Sequence, residues 1–244
     1  MLWYKAWLET RSRFIISLTG IGFLCSYRVY SVLEQAKYTP HPAGYASVPA
    51  YAGALFQGHV LLCSLWVFAM SFLLMGGLLH EKDMEVSAFT LALPVTRATL
   101  MGVRIAAGLL EGVTLGILPF FAMLIVLRLS GWTPPATQIM SYLILLFIGG
   151  SPLLALAVLI SSTVKGHYTA PLVNFAILIM VMFLSGEQQY RSVSPLTFMQ
   201  GYLYLDHQDW LVLSPFPWLQ LILIVTVSVA LMVLSIVAIQ RQDF

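Results

Sequence analysis

Charge is what this chain has least of. Charged side chains make up 9% of its 244 residues, against about a quarter in an ordinary soluble domain. A surface so poor in charge cannot face water, so a free globular enzyme or carrier is excluded. The balance of 12 basic and 10 acidic residues leaves a net charge of +2. No basic patch interleaved with aromatics accompanies it, so no nucleic-acid partner is expected. Cysteine is nearly absent: Cys25 and Cys63 are the two present, both within apolar runs. That excludes a disulfide framework and leaves two small apolar side chains. Catalytic signatures are missing too. Without GxxxxGK[ST] the chain has no phosphate-cradling loop, and without HExxH it has no zinc-protease helix. The five histidines, at 41, 59, 80, 167 and 207, are scattered over loops and span ends. They read as interfacial side chains, and no metal site is expected. There are no internal repeats and no low-complexity tract.

Apolar residues fill the space that charge leaves: 59% of the chain is hydrophobic and the mean hydropathy is +0.88. A bilayer crossing needs about 20 apolar residues, and six runs qualify, at roughly 14–33, 55–79, 105–127, 138–160, 171–185 and 216–239. The expected fold is all-α: a polytopic membrane protein of six transmembrane helices in a single transmembrane domain over residues 1–244. Lys5, Arg11 and Arg13 before the first run resemble the start of a signal peptide. No small-x-small cleavage site follows, and Leu24 is too large for a lipoprotein site at Cys25, so the run reads as a retained span.

An even number of spans puts both termini on one side. With the termini in the cytoplasm, the inner segments hold Lys5, Arg11, Arg13, Lys82, Arg97, Arg104, Lys165 and Arg241. The outer segments hold Arg28, Lys37, Arg128 and Arg191. That excess of inner Lys and Arg favours cytoplasmic termini. In MLWYKAWLETRSR, Trp3 and Trp7 share one helical face and Lys5 and Glu9 another. The expectation is a short amphipathic helix over about 1–13 lying at the inner interface. Residues 186–215 form an aromatic outer segment, expected to dip into the outer leaflet as short helices or to pack on the span ends.

The polar stretch between spans two and three, HEKDMEVSAFTLALPVTRATLMGVR, carries Glu81, Lys82, Asp83, Glu85, Arg97 and Arg104. Its first part has helix-forming composition, with Met84, Phe89 and Leu93 among the charges. Pro94 breaks the helix at Leu93, and Thr96 can cap a second one that runs through Arg97 and Arg104 into the third span. Helix, sharp turn, helix on the cytoplasmic face forms a rigid knob that can plug into a soluble partner. A plain connector between neighbouring spans is usually shorter.

Within the spans, Gly108, Gly112 and Gly116 recur every four residues and let another helix approach closely. Tight packing within one subunit is the expected role, with a subunit interface or moving contact as the alternative. Glu111 sits among these glycines, where a carboxylate is costly unless paired or near the interface. A snorkelling or interhelically bonded glutamate is expected; a gate or cation-contacting site is the functional alternative. Asn174 in the fifth run has the same two readings, with an interhelical hydrogen bond favoured. Ser151 in GGSP lacks a GxSxG frame and a later intramembrane histidine, so Gly149, Gly150 and Pro152 read as a hinge or close helix contact rather than a nucleophile site.

Four pieces of the chain together resemble the permease subunit of ABC transporters of the ABC-2, or type 2 exporter, class. LWYKAWLETRSRF is similar to that family's interfacial connecting helix, often W-K-E-W-x-E-x-R. LALPVTR is similar to its L-P-V-[ST]-R loop motif after an acidic stretch. The segment between spans five and six lies where the family has an extracellular helical hairpin. QRQDF is similar to its R-R-x-D-[FL] ending. The resemblance implies a non-catalytic half-transporter in a bacterial inner membrane, in contact with membrane lipid and pairing with a second permease subunit as homo- or heterodimer. Two separate ABC ATPase subunits would carry ATP and magnesium, and this chain would hold no cofactor of its own. By carry-over, the loop with Glu81, Asp83, Glu85, Phe89, Pro94 and Arg97 would hold the coupling helix, and the inner loop with Lys165 and His167 a smaller contact. An ATP-independent small secondary transporter or channel is the alternative, and an intramembrane enzyme ranks last for want of a nucleophile–base pair.

Overall fold

The computed structural model describes residues 2–38, 50–74, 97–164, 169–187, 194–204 and 217–240. In hydrocarbon every backbone N–H and C=O must be satisfied within the protein, which leaves the helix as the natural state of a long apolar run. The described residues follow that rule and contain no strand. The helices are α1 (Leu2–Tyr38), α2 (Ala50–Leu74), α3 (Arg97–Leu129), α4 (Ala136–Thr163), α5 (Thr169–Gly186), α6 (Pro195–Gln200) and α7 (Trp218–Gln240), with a 3-10 turn at Tyr202–Tyr204. Six are long and apolar enough to cross a membrane, at Thr10–Lys37, Tyr51–Ser71, Ile105–Leu129, Ala136–Thr163, Thr169–Gly186 and Trp218–Ala238. The chain is a multi-pass membrane protein, and each expected run has its helix.

One feature differs in detail from the sequence expectation. No helix end separates the first turns from the first span: α1 is continuous over 37 residues. The reason is local, because no glycine or proline occurs between Leu2 and Thr19, so charge alone does not stop the helix. The expected helix through Arg97 and Arg104 into the third span is found as α3, which continues through Pro119.

The α3–α4 turn shows how a helix end is closed beside lipid. Gly131 adopts φ 85°. Its N–H donates to Arg128 O at 3.0 Å, and Trp132 N–H donates to Leu127 O at 3.0 Å. This pair is the Schellman arrangement, which needs a left-handed residue and satisfies the last carbonyls. Pro134 and Pro135 then stop any continuation, and α4 begins at Ala136.

α2 is the hub of the bundle. It packs on α1, α3, α4, α5 and α6, while α3 also packs along α1, and α4 along α7. The largest fully buried side chains, Trp66, Tyr142, Phe120 and Leu55 among them, belong to α2, α3 and α4. α1, α5 and α7 are peripheral and turn apolar side chains such as Phe23, Phe183 and Leu219 outward. That pattern suits lipid as the surrounding solvent.

Candidate functional site

α6 is the element that sets the centre of the molecule. It is a six-residue helix, too short to be stable by itself, and it is inserted between the spans. Met199 reaches His59, nine residues along α2 from Ala50, or about 13 Å at 1.5 Å per residue. A segment at that depth has no water to satisfy its end carbonyls, so protein groups must do so. Gly201 N–H donates to Phe198 O at 2.9 Å and Tyr204 N–H to Gly201 O at 3.0 Å. The Met199 carbonyl is met by a side chain: His59 Nε2–H donates to it across 3.2 Å. Cys63, one turn further along α2, donates its thiol to the same carbonyl at 3.6 Å.

The same geometry corrects the sequence reading of His59 as an interfacial residue: it has no exposed surface. The apolar run was taken to begin near residue 55, whereas α2 already includes Ala50, which carries His59 well inside. Tyr142 covers the imidazole with ring centroids 4.5 Å apart, and Phe120 meets it edge-on at 6.3 Å. The bond to Met199 places the proton on Nε2, and Nδ1 has no partner. Cys63 Sγ lies 3.3 Å from His59 Nε2. Neither side chain is exposed, and the imidazole proton is already engaged by a carbonyl, so the pair acts as a packing joint.

α6 is seated on α4 by two glycines. A Cβ on Gly149 would stand 2.8 Å from Met199 Cα, and one on Gly150 would stand 2.5 Å from Trp66 Cζ3. The absence of two methyl groups therefore lets α6 and the Trp66 indole approach the α4 backbone. Trp66 in turn donates Nε1–H to Gly112 O on α3 at 2.8 Å. Ser151, next in α4, shares a hydrogen bond of 2.7 Å with Ser228 on α7. Pro152 lies within the unbroken α4.

The glycine row of α3 faces into the subunit. Gly108 is buried. A Cβ at Gly112 would collide with the Met70 thioether, and one at Gly116 would come within 2.7 Å of the Phe147 ring. Glu111 is 6% exposed. Thr10 on α1 donates its hydroxyl to Glu111 Oε1, an interhelical bond, while Oε2 has no partner among the described residues. Asn174 departs from expectation. It is 1% exposed, on the narrow stripe with Ala170 and Leu178 by which α5 is buried, and neither amide atom makes a hydrogen bond. The expected interhelical bond is not formed, because the stripe that buries it is otherwise apolar. Arg28, counted among the outer basic residues, donates to Gln57 on α2 at 2.6 Å.

The proposed coupling residues fall elsewhere. Glu81, Asp83, Glu85, Phe89, Pro94, Lys165 and His167 lie outside the described residues, as does the side chain of Arg97, whose backbone opens α3. Among the described residues no group of three or more His, Cys, Asp or Glu side chains could hold a metal ion. Sequence reasoning missed His59, Cys63 and the seat of α6. The available signal was a histidine and a cysteine four residues apart inside an apolar run, which puts both on one helical face.

No family model matches the chain, and neither a curated protein nor a solved structure matches it.

Proposed function

We propose that this chain is the membrane-spanning permease subunit of an ATP-driven transporter of the ABC-2 class, working as an exporter. It pairs with a second permease subunit and with a separate ATPase, and both its termini are cytoplasmic in a bacterial inner membrane. The observation that carries this reading is a frame of six apolar helices with the family-like pieces at its joints. LWYKAWLETRSRF opens α1, LALPVTR leads into α3 at Arg97, and QRQDF begins at Gln240, the last residue of α7.

The helices give the reading a mechanical basis. Arg97 of the LALPVTR piece begins a continuous helix of 33 residues, about 50 Å long at 1.5 Å per residue. That helix carries Glu111, Gly112 and Gly116 to α1, α2 and α4. A push on the loop before Arg97 therefore moves a rigid rod whose contacts are backbone-close. The acidic group Glu81, Asp83 and Glu85 suits a charged rim on a soluble ATPase. Lys165 and His167 add a second contact on the same side.

The test is association and turnover. An ATPase co-purifies with the chain, and ATP hydrolysis resides in the partner. Arg97→Glu and Pro94→Gly each weaken that association. Robust hydrolysis by this chain alone, or unchanged co-purification in both variants, overturns the proposal.

A further inference from the structure

We propose that Glu111 is a proton-binding site: its side chain is held as the neutral acid in the seam between α1 and α3. The Thr10 hydroxyl donates to Oε1, and the proton rests on Oε2, the oxygen that no donor among the described residues reaches. An ionised carboxylate offers about four lone-pair sites and can only accept. With one hydroxyl donor and a buried second oxygen, the ionised form leaves a charge unsolvated inside the bundle, the most expensive arrangement for this group. The neutral acid leaves a single O–H.

The surroundings favour the same state. α2 contributes Met70, which lies against Gly112, and no charged residue over Ala50–Leu74. Of its titratable groups, Cys63 lies seven residues before Met70, with His59 and Tyr51 further away, and both Cys63 and His59 are engaged at the Met199 carbonyl. α4 has no charged residue in Ala136–Thr163, and its Tyr142 belongs to the His59 cluster. On α1, Arg11 and Arg13 are exposed. The side chains of Lys5 and Glu9 on α1 and of Arg104 on α3 lie outside the described residues, and Arg104 is the one cation on the same helix near enough in sequence to compete.

The site is also placed to exchange its ligand. Thr10 is the first residue of the first candidate span, and Glu111 is six residues past Ile105, where the third begins, about 9 Å along the helix. A proton from the nearer membrane face has a short way to travel. Its loss puts a negative charge into the α1–α3 contact. Occupancy of the site and closure of that seam are thus linked, whatever the chain transports, and the proposal does not depend on the transporter reading.

Infrared difference spectroscopy of the purified full-length protein decides it. The spectrum of wild type minus Glu111→Gln at pH 8, where exposed carboxylates are ionised, should contain the C=O stretch of a neutral carboxylic acid, shifted in D2O. Glu111→Gln should keep the wild-type thermal midpoint, because its amide oxygen still accepts from Thr10. A difference spectrum containing ionised-carboxylate bands instead, as an Arg104 pair or a bound metal cation would give, overturns the proposal. Should the variant fail to fold, the wild type alone serves: the neutral-acid band must be present at pH 8 and vanish on alkaline titration, and its absence overturns the proposal.

Discussion

Replacing Gly149 by alanine adds one methyl group at the seat of α6, and the size of its effect follows from distances. The new Cβ would stand 2.8 Å from Met199 Cα, 3.1 Å from Phe198 Cδ1 and 3.2 Å from Met199 Cβ. Carbon atoms in van der Waals contact sit about 3.5–4.0 Å apart. The nearest of these is backbone, so no rotamer change relieves it and α6 must withdraw by roughly 0.7–1.2 Å. Overpacking of this kind typically costs about 1–3 kcal/mol. Alanine is the better helix former, by about 1 kcal/mol, so the comparison needs a control with the same gain. Gly53→Ala provides it, since a Cβ there meets nothing within 4 Å. The two variants should differ by about 1–3 kcal/mol, which for a chain of this size separates their thermal midpoints by roughly 2–12 °C. Thermal unfolding in detergent, followed by tryptophan fluorescence, measures the difference. Amide exchange over residues 194–204 should rise in Gly149→Ala alone. Coincident melting of the two variants would refute the claim that α6 is seated on the bare α4 backbone.

Two further outcomes follow from hydrogen bonds between helices. Ser151→Ala and Ser228→Ala should each destabilise by about 0.5–1 kcal/mol, and the double variant by no more than either alone. Additive losses in that thermodynamic cycle would show that the 2.7 Å contact contributes nothing. Trp66→Phe keeps most of the ring but removes the donor to Gly112 O. It should lower stability by about 1 kcal/mol, and equal melting of variant and wild type would contradict the assignment.

The spans were legible because a bilayer demands little beyond length and apolarity. The expected third and sixth runs, 105–127 and 216–239, fall on Ile105–Leu129 and Trp218–Ala238. What lies between the helices was harder to read. His59 was placed at a span end because Ala50, Tyr51 and Gly53 look like a loop when no neighbour is in view. Its burial follows from an orphan carbonyl some 140 residues away in the chain, which no local pattern encodes. The separate interfacial helix follows from the amphipathic placement of Trp3, Trp7, Lys5 and Glu9, yet helix ends are set by backbone chemistry, and no glycine or proline in Leu2–Thr19 interrupts the ladder. Asn174 shows the reverse error: polarity suggested a hydrogen bond, but partners depend on what the facing helix offers.

α7 is held along one line. Leu221, Ser228 and Ser235 are its buried residues after Pro217, spaced by seven, so the contact runs nearly straight down the helix and leaves the rest to lipid. Its mean hydropathy of 2.9 is the highest of the six candidate spans. Its entry into the bilayer therefore needs no protein partner, and its docking on α4 is a separate, weaker event. The Ser151–Ser228 bond is thus where a helix that is stable in the membrane on its own is joined to α4.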